Sequence, residues 1–156
     1  SGTAEDFDSF QDSSSPQSLA LKWLFNDTFT LSEKTVTQAV VERYALAVLY
    51  FATNGTNWID SFNFLTEGNI CTWNKIVANE SSNENFERGV VCQGGNPFEL
   101  LLSLAGIGLG GTLPWELSLL SSASNFTMFS NNLGGTLPSS LGRLTALRTL
   151  DVSSAS

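Results

Sequence analysis

Apolar side chains recur at fixed offsets in the last third of the chain, with a period of 24 residues. The copies begin at Leu102, Phe126 and Leu150. The further shared positions are Leu104, Leu109, Gly111, Leu113, Pro114, Leu117 and Leu120 in the first copy, and Met128, Leu133, Gly135, Leu137, Pro138, Leu141 and Leu144 in the second. A period of about 20 to 29 residues is typical of stacked coils that each contribute one short strand. The pattern therefore predicts that the three initial residues lie in register on neighbouring strands.

Upstream of the repeats, apolar residues follow helical spacing in two segments. Ser15 and Pro16 are typical of a helix start, so a first helix is predicted over about 16–26. A second helix is predicted to begin near Ser32, which can cap it, and to end at Asn54, because apolar residues between them share one side.

The segment between the second helix and the repeats lacks a helical pattern. Residues 56–68 mix aromatic residues with turn formers, which predicts irregular structure. The polar stretch 74–88 is predicted to be an exposed loop. Val90 and Val91 then predict a short strand that could hydrogen-bond beside the first repeat strand, which starts at Leu100.

The repeated positions resemble the plant-type leucine-rich repeat, usually written LxLxxNxLxGxIPxxLxxLxxL. The second copy, FTMFSNNLGGTLPSSLGRLTAL, fits best, whereas the first has Ile107 at the Asn position and Ala123 at a Leu position. In that family the Asn side chain bonds backbone groups of adjacent coils, and here only Asn131 can do so, because the third copy has Ala155. The resemblance implies an α/β fold: the start of a leucine-rich-repeat solenoid, a right-handed β-α superhelix.

A second resemblance concerns the region before the repeats. CTW at 71–73 and GVVC at 89–92 are similar to the CxWxGVxC element of the N-terminal cap of such repeats in secreted proteins, with 74–88 inserted. This resemblance implies a disulfide between Cys71 and Cys92 and an exported compartment, with two free buried thiols as the alternative. SPQSLALKWLFND and ERYALAVLYFATNGTNW are also similar to N-terminal regions of secreted or receptor-like repeat proteins of diatoms and related algae.

These patterns divide the chain into three predicted parts. Residues 1–14 form an acidic tail, disordered or ordered by a partner; 15–99 form the helical, disulfide-bearing cap; 100–156 form two repeats and the start of a third. The cap is expected to cover the apolar end of the stack. At the other end, further repeats or a neighbouring subunit are expected to cover an open edge of apolar side chains and strand groups.

Composition argues against several classes of function. The net charge is −8 and histidine is absent, which disfavours nucleic acid and anionic membrane surfaces as partners. No apolar run reaches the roughly 18 residues of a membrane-spanning helix, and no signal-peptide core begins the chain, which predicts a mature form or a cytosolic protein. Histidine, the commonest general base and metal ligand, is absent, and the cysteines lack the CxxC spacing of a zinc or redox site. The sequence therefore predicts no catalytic residue, no metal ligand set and no cofactor. Glu84 and Glu87, the nearest approach to a carboxylate pair, are expected to be solvated.

The candidate contact residues follow from strand alternation, because side chains between and beside the leucines point away from the core. They are Ser103, Ala105, Thr127, Phe129, Asp151 and Ser153. The resemblance implies that this concave face binds proteins or peptides, with a merely solvated sheet surface as the alternative. Phe129 is a candidate anchor because it is aromatic. Trp115 is a second candidate anchor, unless it packs against the cap or a neighbouring coil.

Four sequons could carry N-linked glycans in a secreted protein. They are Asn26, Asn54, Asn79 and Asn125. Asn79 is favoured because it falls in the predicted loop, and Asn125 is disfavoured because it directly precedes a predicted strand.

The sequence as a whole predicts a non-catalytic recognition module that binds a protein, peptide or glycan, within a secreted or membrane-tethered protein. The alternative is a structural subunit docked permanently in a larger assembly, for example in the thylakoid lumen, with a partner covering its C-terminal edge. A hydrolase is a third hypothesis, and it requires two acidic residues converging in a cleft.

Overall fold

The computed structural model describes residues 12–79, 81–82, 84–94 and 99–154, so most of the predicted acidic tail and Ala155 lie outside the described residues. The helices are α1 (Pro16–Leu24), α2 (Thr28–Ser32) and α3 (Gln38–Ala52). The strands are β1 (Asn74–Asn79), β2 (Glu84–Gln93), β3 (Glu99–Ser103), β4 (Ala123–Thr127) and β5 (Thr149–Asp151). Short 3₁₀ helices lie at Gly55–Asn57, Ile70–Thr72, Trp115–Leu119 and Ser139–Arg143.

The expectation of a leucine-rich-repeat solenoid is wrong. The described residues form a small α/β domain around one mixed five-stranded sheet of order β1-β2-β3-β4-β5. β1, β2 and β3 pair antiparallel, whereas β3, β4 and β5 pair parallel. The 24-residue spacing accounts only for the two parallel pairings. The other two strands come from a stretch without any repeat, and the long helix α3 supplies much of the core.

Within the parallel half of the sheet, the repeat spacing matches the strand register. Leu102 lies beside Phe126, which lies beside Leu150. The strands are joined through segments that contain the 3₁₀ helices Trp115–Leu119 and Ser139–Arg143, and the first of these packs on α3. Equal spacing in sequence therefore corresponds to equal position across three strands.

The expected exposed loop at 74–88 is also wrong, because these residues form most of an antiparallel hairpin. Asn74 pairs with Gly89 at one end of β1 and Asn79 pairs with Glu84 at the other. Some residues in this stretch are apolar and favour strands, and the overall polarity of the stretch conceals this preference. Gly89 has φ +102°, and a Cβ there would lie 2.4 Å from the Trp73 carbonyl oxygen, so glycine is required where the hairpin meets the core.

The N-terminal helix is confirmed, but the start of the second predicted helix is wrong. Ser15 caps α1 through a hydrogen bond from the Ser18 amide, and α1 ends at Leu24. Ser32 ends the short helix α2 instead of capping the long one, and its hydroxyl donates to the Phe29 carbonyl. The long helix α3 begins after Thr37, whose hydroxyl accepts from the Val40 amide. Thr37 is thus the residue that sets the start of α3.

The core lies between α3 and one face of the sheet. Its largest fully buried side chains come from α3, from the segment between α3 and β1, from β3 and β4, and from the connection between those two strands. They are Trp73, Arg43, Phe62, Phe126, Leu46, Leu49, Leu100, Leu102, Leu104, Ile107, Leu109 and Leu117. The aromatic segment 56–68 contributes Trp58, Phe62 and Phe64 to this core.

A buried arginine joins the helices to the loop before the sheet. Arg43 forms a two-pronged ion pair with Asp27, which also caps α2, and donates to the carbonyls of Thr66 and Gly68. Its guanidinium carbon lies 4.8 Å from the ring centre of Trp73. This side chain therefore links α2, α3 and the segment that leads into β1.

The Cys71–Cys92 disulfide is present and connects the same segment to β2. Val90 and Val91 pair with Leu102 and Leu101, so the predicted pairing of this strand beside the first repeat strand is confirmed. A disulfide of this kind indicates an oxidising compartment.

Candidate binding face of the sheet

The two faces of the sheet differ in burial. In β3, Leu100 and Leu102 are fully buried against the helices, whereas Glu99, Leu101 and Ser103 alternate with them and are partly exposed. Because side chains alternate along a strand, these three residues define the face that points away from the helices. We call it the outer face.

Neighbouring strands extend the outer face in register. One row across the sheet contains Gly89, Ser103, Thr127 and Asp151. The next row contains Val91, Leu101, Asn125 and Thr149. Gly89 has no side chain and Val91 is buried, so the side chains of β3, β4 and β5 form the accessible part of each row.

A groove of about 420 Å³ lies on the outer face. Its lining comes from β2, β3 and β4: Asn85, Phe86, Glu87, Val91, Gln93, Leu101, Leu102, Ser103, Asn125 and Thr127. Amide and hydroxyl groups surround four apolar residues, Phe86, Val91, Leu101 and Leu102, of which Val91 and Leu102 are almost completely buried. We call this the outer-face groove. Its size is at the lower end of the roughly 300 to 1,000 Å³ of ligand sites, and its composition suits a ligand with both polar and apolar parts.

The charge of the outer-face groove is negative. Glu87 is its one ionisable lining residue. At the edge of the outer face, Glu99 accepts from Arg148 at 3.0 Å, but both side chains are well exposed, so this pair contributes little to stability. A neutral or basic ligand therefore fits the groove better than an acidic one.

The predicted contact residues occupy different environments. Ser103 and Thr127 line the outer-face groove. Asp151 lies beside Thr127 on β5, where its Oδ1 accepts from the backbone and hydroxyl of Ser153, so these two residues form a local turn beyond the groove. Phe129 lies beyond the end of β4 with 40 % of its surface exposed.

Two further candidates are placed by other contacts. The carbonyl of Ala105 accepts a hydrogen bond from the Arg88 guanidinium, which ties the end of β3 to β2. Trp115 is half-buried at the start of the 3₁₀ helix that packs on α3, and its carbonyl accepts from the Ser140 hydroxyl. Trp115 therefore belongs to the helical layer, and the structure does not bring it to the outer-face groove.

Several groove residues were missed by the sequence reasoning. Asn85, Glu87 and Gln93 lie on β2, whose first half is predicted as loop, and alternation in both directions from Val91 places them on one face. The sequence predicts Asn125 as a sequon and not as a contact residue. The available signal was the alternation of β2, and it is obscured by the polar composition of that strand.

No protein-family model matches the chain, and no curated protein matches it. The motif resemblance to leucine-rich repeats therefore stays a prediction about sequence, and the family is not shown.

The sequons differ in exposure. Asn26 and Asn54 are exposed, the former just after α1 and the latter in a left-handed turn with φ 62° after α3. Asn79 is half-buried at the end of β1, where its side chain accepts from the Ser81 amide. Asn125 is half-buried in β4, between β3 and β5. Glycosylation at all four stays a prediction.

The described ranges contain no cluster of three or more potential metal-ligating side chains of the His, Cys, Asp and Glu types. Within the same ranges, no helix is both long and apolar enough to cross a membrane. Glu84 and Glu87 are both exposed on β2, and their odd separation places them on opposite faces of the strand, so they do not converge on one site.

Proposed function

We propose that this chain is a non-catalytic recognition module that binds an extended segment of another protein, or a free peptide, in the outer-face groove. The observation that carries the proposal is the groove itself, which is lined from three neighbouring strands and includes the predicted contact residues Ser103 and Thr127. A surface built on paired strands is formed before the ligand arrives, so binding requires little rearrangement.

The chemistry of the groove favours a peptide ligand. Amide side chains such as Asn125 can donate to and accept from a peptide backbone, while the partly exposed Leu101 offers apolar contact. Exposed apolar side chains outside the floor, Phe86 at 46 % and Phe129 at 40 %, are suited to act as anchors. The carboxylate of Glu87 favours a ligand with a basic residue.

Selection from a displayed peptide library, followed by titration of the recovered peptides, tests this proposal. Thr127→Arg places a large cation in the groove and is expected to weaken binding at least tenfold. Ser139→Arg, at an exposed position in the helical layer, is the matched control and is expected to bind as the wild type does. Equal affinity of the two variants would refute the proposed location, and selection of a glycan but no peptide on parallel arrays would refute the proposed ligand class.

The disulfide supports an oxidising compartment. We propose that the protein resides in the extracellular space or the lumen of the secretory pathway, where it could also be tethered to a membrane. The lumen of an organelle such as the thylakoid is the alternative. Export of a tagged full chain, followed by mass determination with and without reductant and glycosidase, tests both the compartment and the four sequons.

A structural subunit is the second candidate function, and one surface favours it. β5 is an edge strand of the described sheet, and beside it lies a small apolar groove of about 180 Å³. Leu137 is 50 % exposed there, next to Leu133 and Val152. Sedimentation of the chain decides between the two functions. A monomer that binds peptide supports recognition, whereas a chain that is soluble only when bound to another subunit supports the structural role.

A further inference from the structure

A second cavity, of about 360 Å³, lies between α2, α3 and the disulfide. It shares no lining residue with the outer-face groove. Its walls are apolar where Phe29, Ala39 and Ile70 face it, and the Cys71–Cys92 bridge forms another wall. We call it the Glu42 cavity, because Glu42 is its one acidic lining residue.

Glu42 is a buried carboxylate with incomplete hydrogen bonding. Only 4 % of its surface is exposed. Its Oε1 accepts from Gln38 Nε2 at 3.2 Å and from the Ser122 hydroxyl at 3.4 Å, and Gln38 Nε2 is shared with the Leu119 carbonyl at 3.1 Å. Within the described ranges, Oε2 accepts no hydrogen bond. Burial raises the pKa of Glu42, whereas the hydrogen bonds from Gln38 and Ser122 act in the opposite direction.

The one basic residue that lines the cavity already has a counter-ion. Arg43 bonds both carboxylate oxygens of Asp27 through Nε and Nη2, and it also donates to the carbonyls of Thr66 and Gly68. The charges of Arg43 and Asp27 offset each other, so the charge of Glu42 is left without a counter-ion. A buried carboxylate in this position is stabilised by a positively charged hydrogen-bond donor.

We propose that the Glu42 cavity binds the end of an alkylammonium or alkylguanidinium group. The cationic head meets Glu42, and the alkyl stem packs against Phe29, Ile70 and the disulfide. Both a free small amine and a lysine or arginine side chain of a partner present this chemistry. An alkyl stem that carries a charged end matches a cavity with apolar walls and one carboxylate. The proposal is independent of the outer-face groove.

The test is NMR titration of the full chain with side-chain ¹³C-labelled glutamate, using n-butylammonium, N-propylguanidinium and neutral n-butanol as probes. Both cations are expected to shift the Glu42 carboxyl signal in a saturable manner, and n-butanol is expected to bind at least tenfold more weakly. Glu42→Gln preserves shape but removes the labelled carboxyl, so its binding is followed through the backbone amide signals of α3; it is expected to weaken cation binding about tenfold or more, as loss of a desolvated charge partner does. Glu84→Gln removes the same charge from an exposed site on β2 and is expected to leave binding unchanged.

A second variant guards against a structural effect of the substitution at Glu42. Ala39→Met, at a half-buried position of α3, fills the cavity while keeping the carboxylate, and is expected to abolish the carboxyl shift. The blocked tripeptide Gly-Lys-Gly distinguishes the two kinds of ligand. If the tripeptide binds, the site accepts a lysine side chain of a partner. If n-butylammonium binds and the tripeptide does not, the site accepts a free amine. Absence of a saturable Glu42 shift with either cation, or equal binding of n-butanol, would overturn the proposal.

Discussion

Asn131 offers the sharpest test of how the parallel strands are held together. Its Oδ1 accepts from the amides of Ile107, Gly108 and Leu109 at 3.0, 3.0 and 3.1 Å. Its Nδ2 donates to the carbonyl of Leu104 at 2.8 Å, and to that of Met128 at the same distance. One side chain thus satisfies the backbone of the turn after β3 and of the segment after β4.

Asn131→Ala removes all of these bonds without removing apolar surface. Asn131 Nδ2 also donates to the Phe129 carbonyl at 3.4 Å. Four of the six bonded backbone groups, all except the Gly108 amide and the Phe129 carbonyl, lie in partly buried surroundings, so water replaces the lost partners only in part. At about 0.5 to 1.5 kcal/mol for each net hydrogen bond, loss of the four partly buried bonds is expected to lower the free energy of unfolding by about 2 to 6 kcal/mol.

The assay is urea unfolding followed by tryptophan fluorescence, with the midpoint and slope compared between variants. Asn132→Ala is the matched control, because Asn132 is exposed, its side chain makes none of these bonds, and only its backbone amide bonds the Leu109 carbonyl. We expect it to change stability by less than about 0.5 kcal/mol. If the variant at Asn131 were as stable as the one at Asn132, the reasoning about this turn would be refuted.

Three further perturbations act on the region between the helices and the sheet. Arg43→Met should cost about 3 to 5 kcal/mol, because it leaves Asp27 buried without a cation, and a loss below 1 kcal/mol in urea unfolding would contradict this. Reduction of Cys71–Cys92 should lower the free energy of unfolding by about 3 kcal/mol, because the unfolded chain gains conformational freedom. Reductant should therefore lower the urea midpoint of the wild type, and it should not change the midpoint of a variant with serine at both positions. Burial would raise the pKa of Asp27, but hydrogen bonds from Arg43 and Thr30 lower it below its ordinary value of 3.8. The stability that Asp27 contributes is therefore complete above that value and is lost as pH falls through the lowered pKa. Asp27→Asn should remove this acid-dependent component from the unfolding free energy measured against pH.

The sequence predicted the parallel part of the sheet better than it predicted the whole fold. Two copies of a 24-residue spacing are enough to place Leu102, Phe126 and Leu150 side by side, because identical offsets between strands force identical register. They are not enough to make a repeat architecture. Most of the remaining fold depends on the hairpin of β1 and β2 and on α3, and the spacing contains no information about either.

The hairpin was missed for a physical reason. In β2 the residues from Glu84 to Glu87 are all exposed, so the strand lacks the apolar alternation that a half-buried strand shows. Its pairing depends on backbone hydrogen bonds and on the tertiary contact at Gly89, which sequence periodicity does not encode. The groove residues on this strand were therefore also missed.

Ser103 and Thr127, by contrast, were predictable as neighbours on the outer face, because alternation and register together fix them. Trp115 and Asp151 show the limit of the same reasoning. The 3₁₀ helix carries Trp115 to the other layer, and Asp151 is engaged by the local turn with Ser153.

The measurement that tests the proposed function most directly is chemical-shift mapping of backbone amides during titration with a library-selected peptide. We expect the largest chemical-shift changes on β2, β3 and β4, with Ser103, Asn125 and Thr127 among them. Changes concentrated instead around Trp115 or along the β5 edge, with the outer face unaffected, would contradict it.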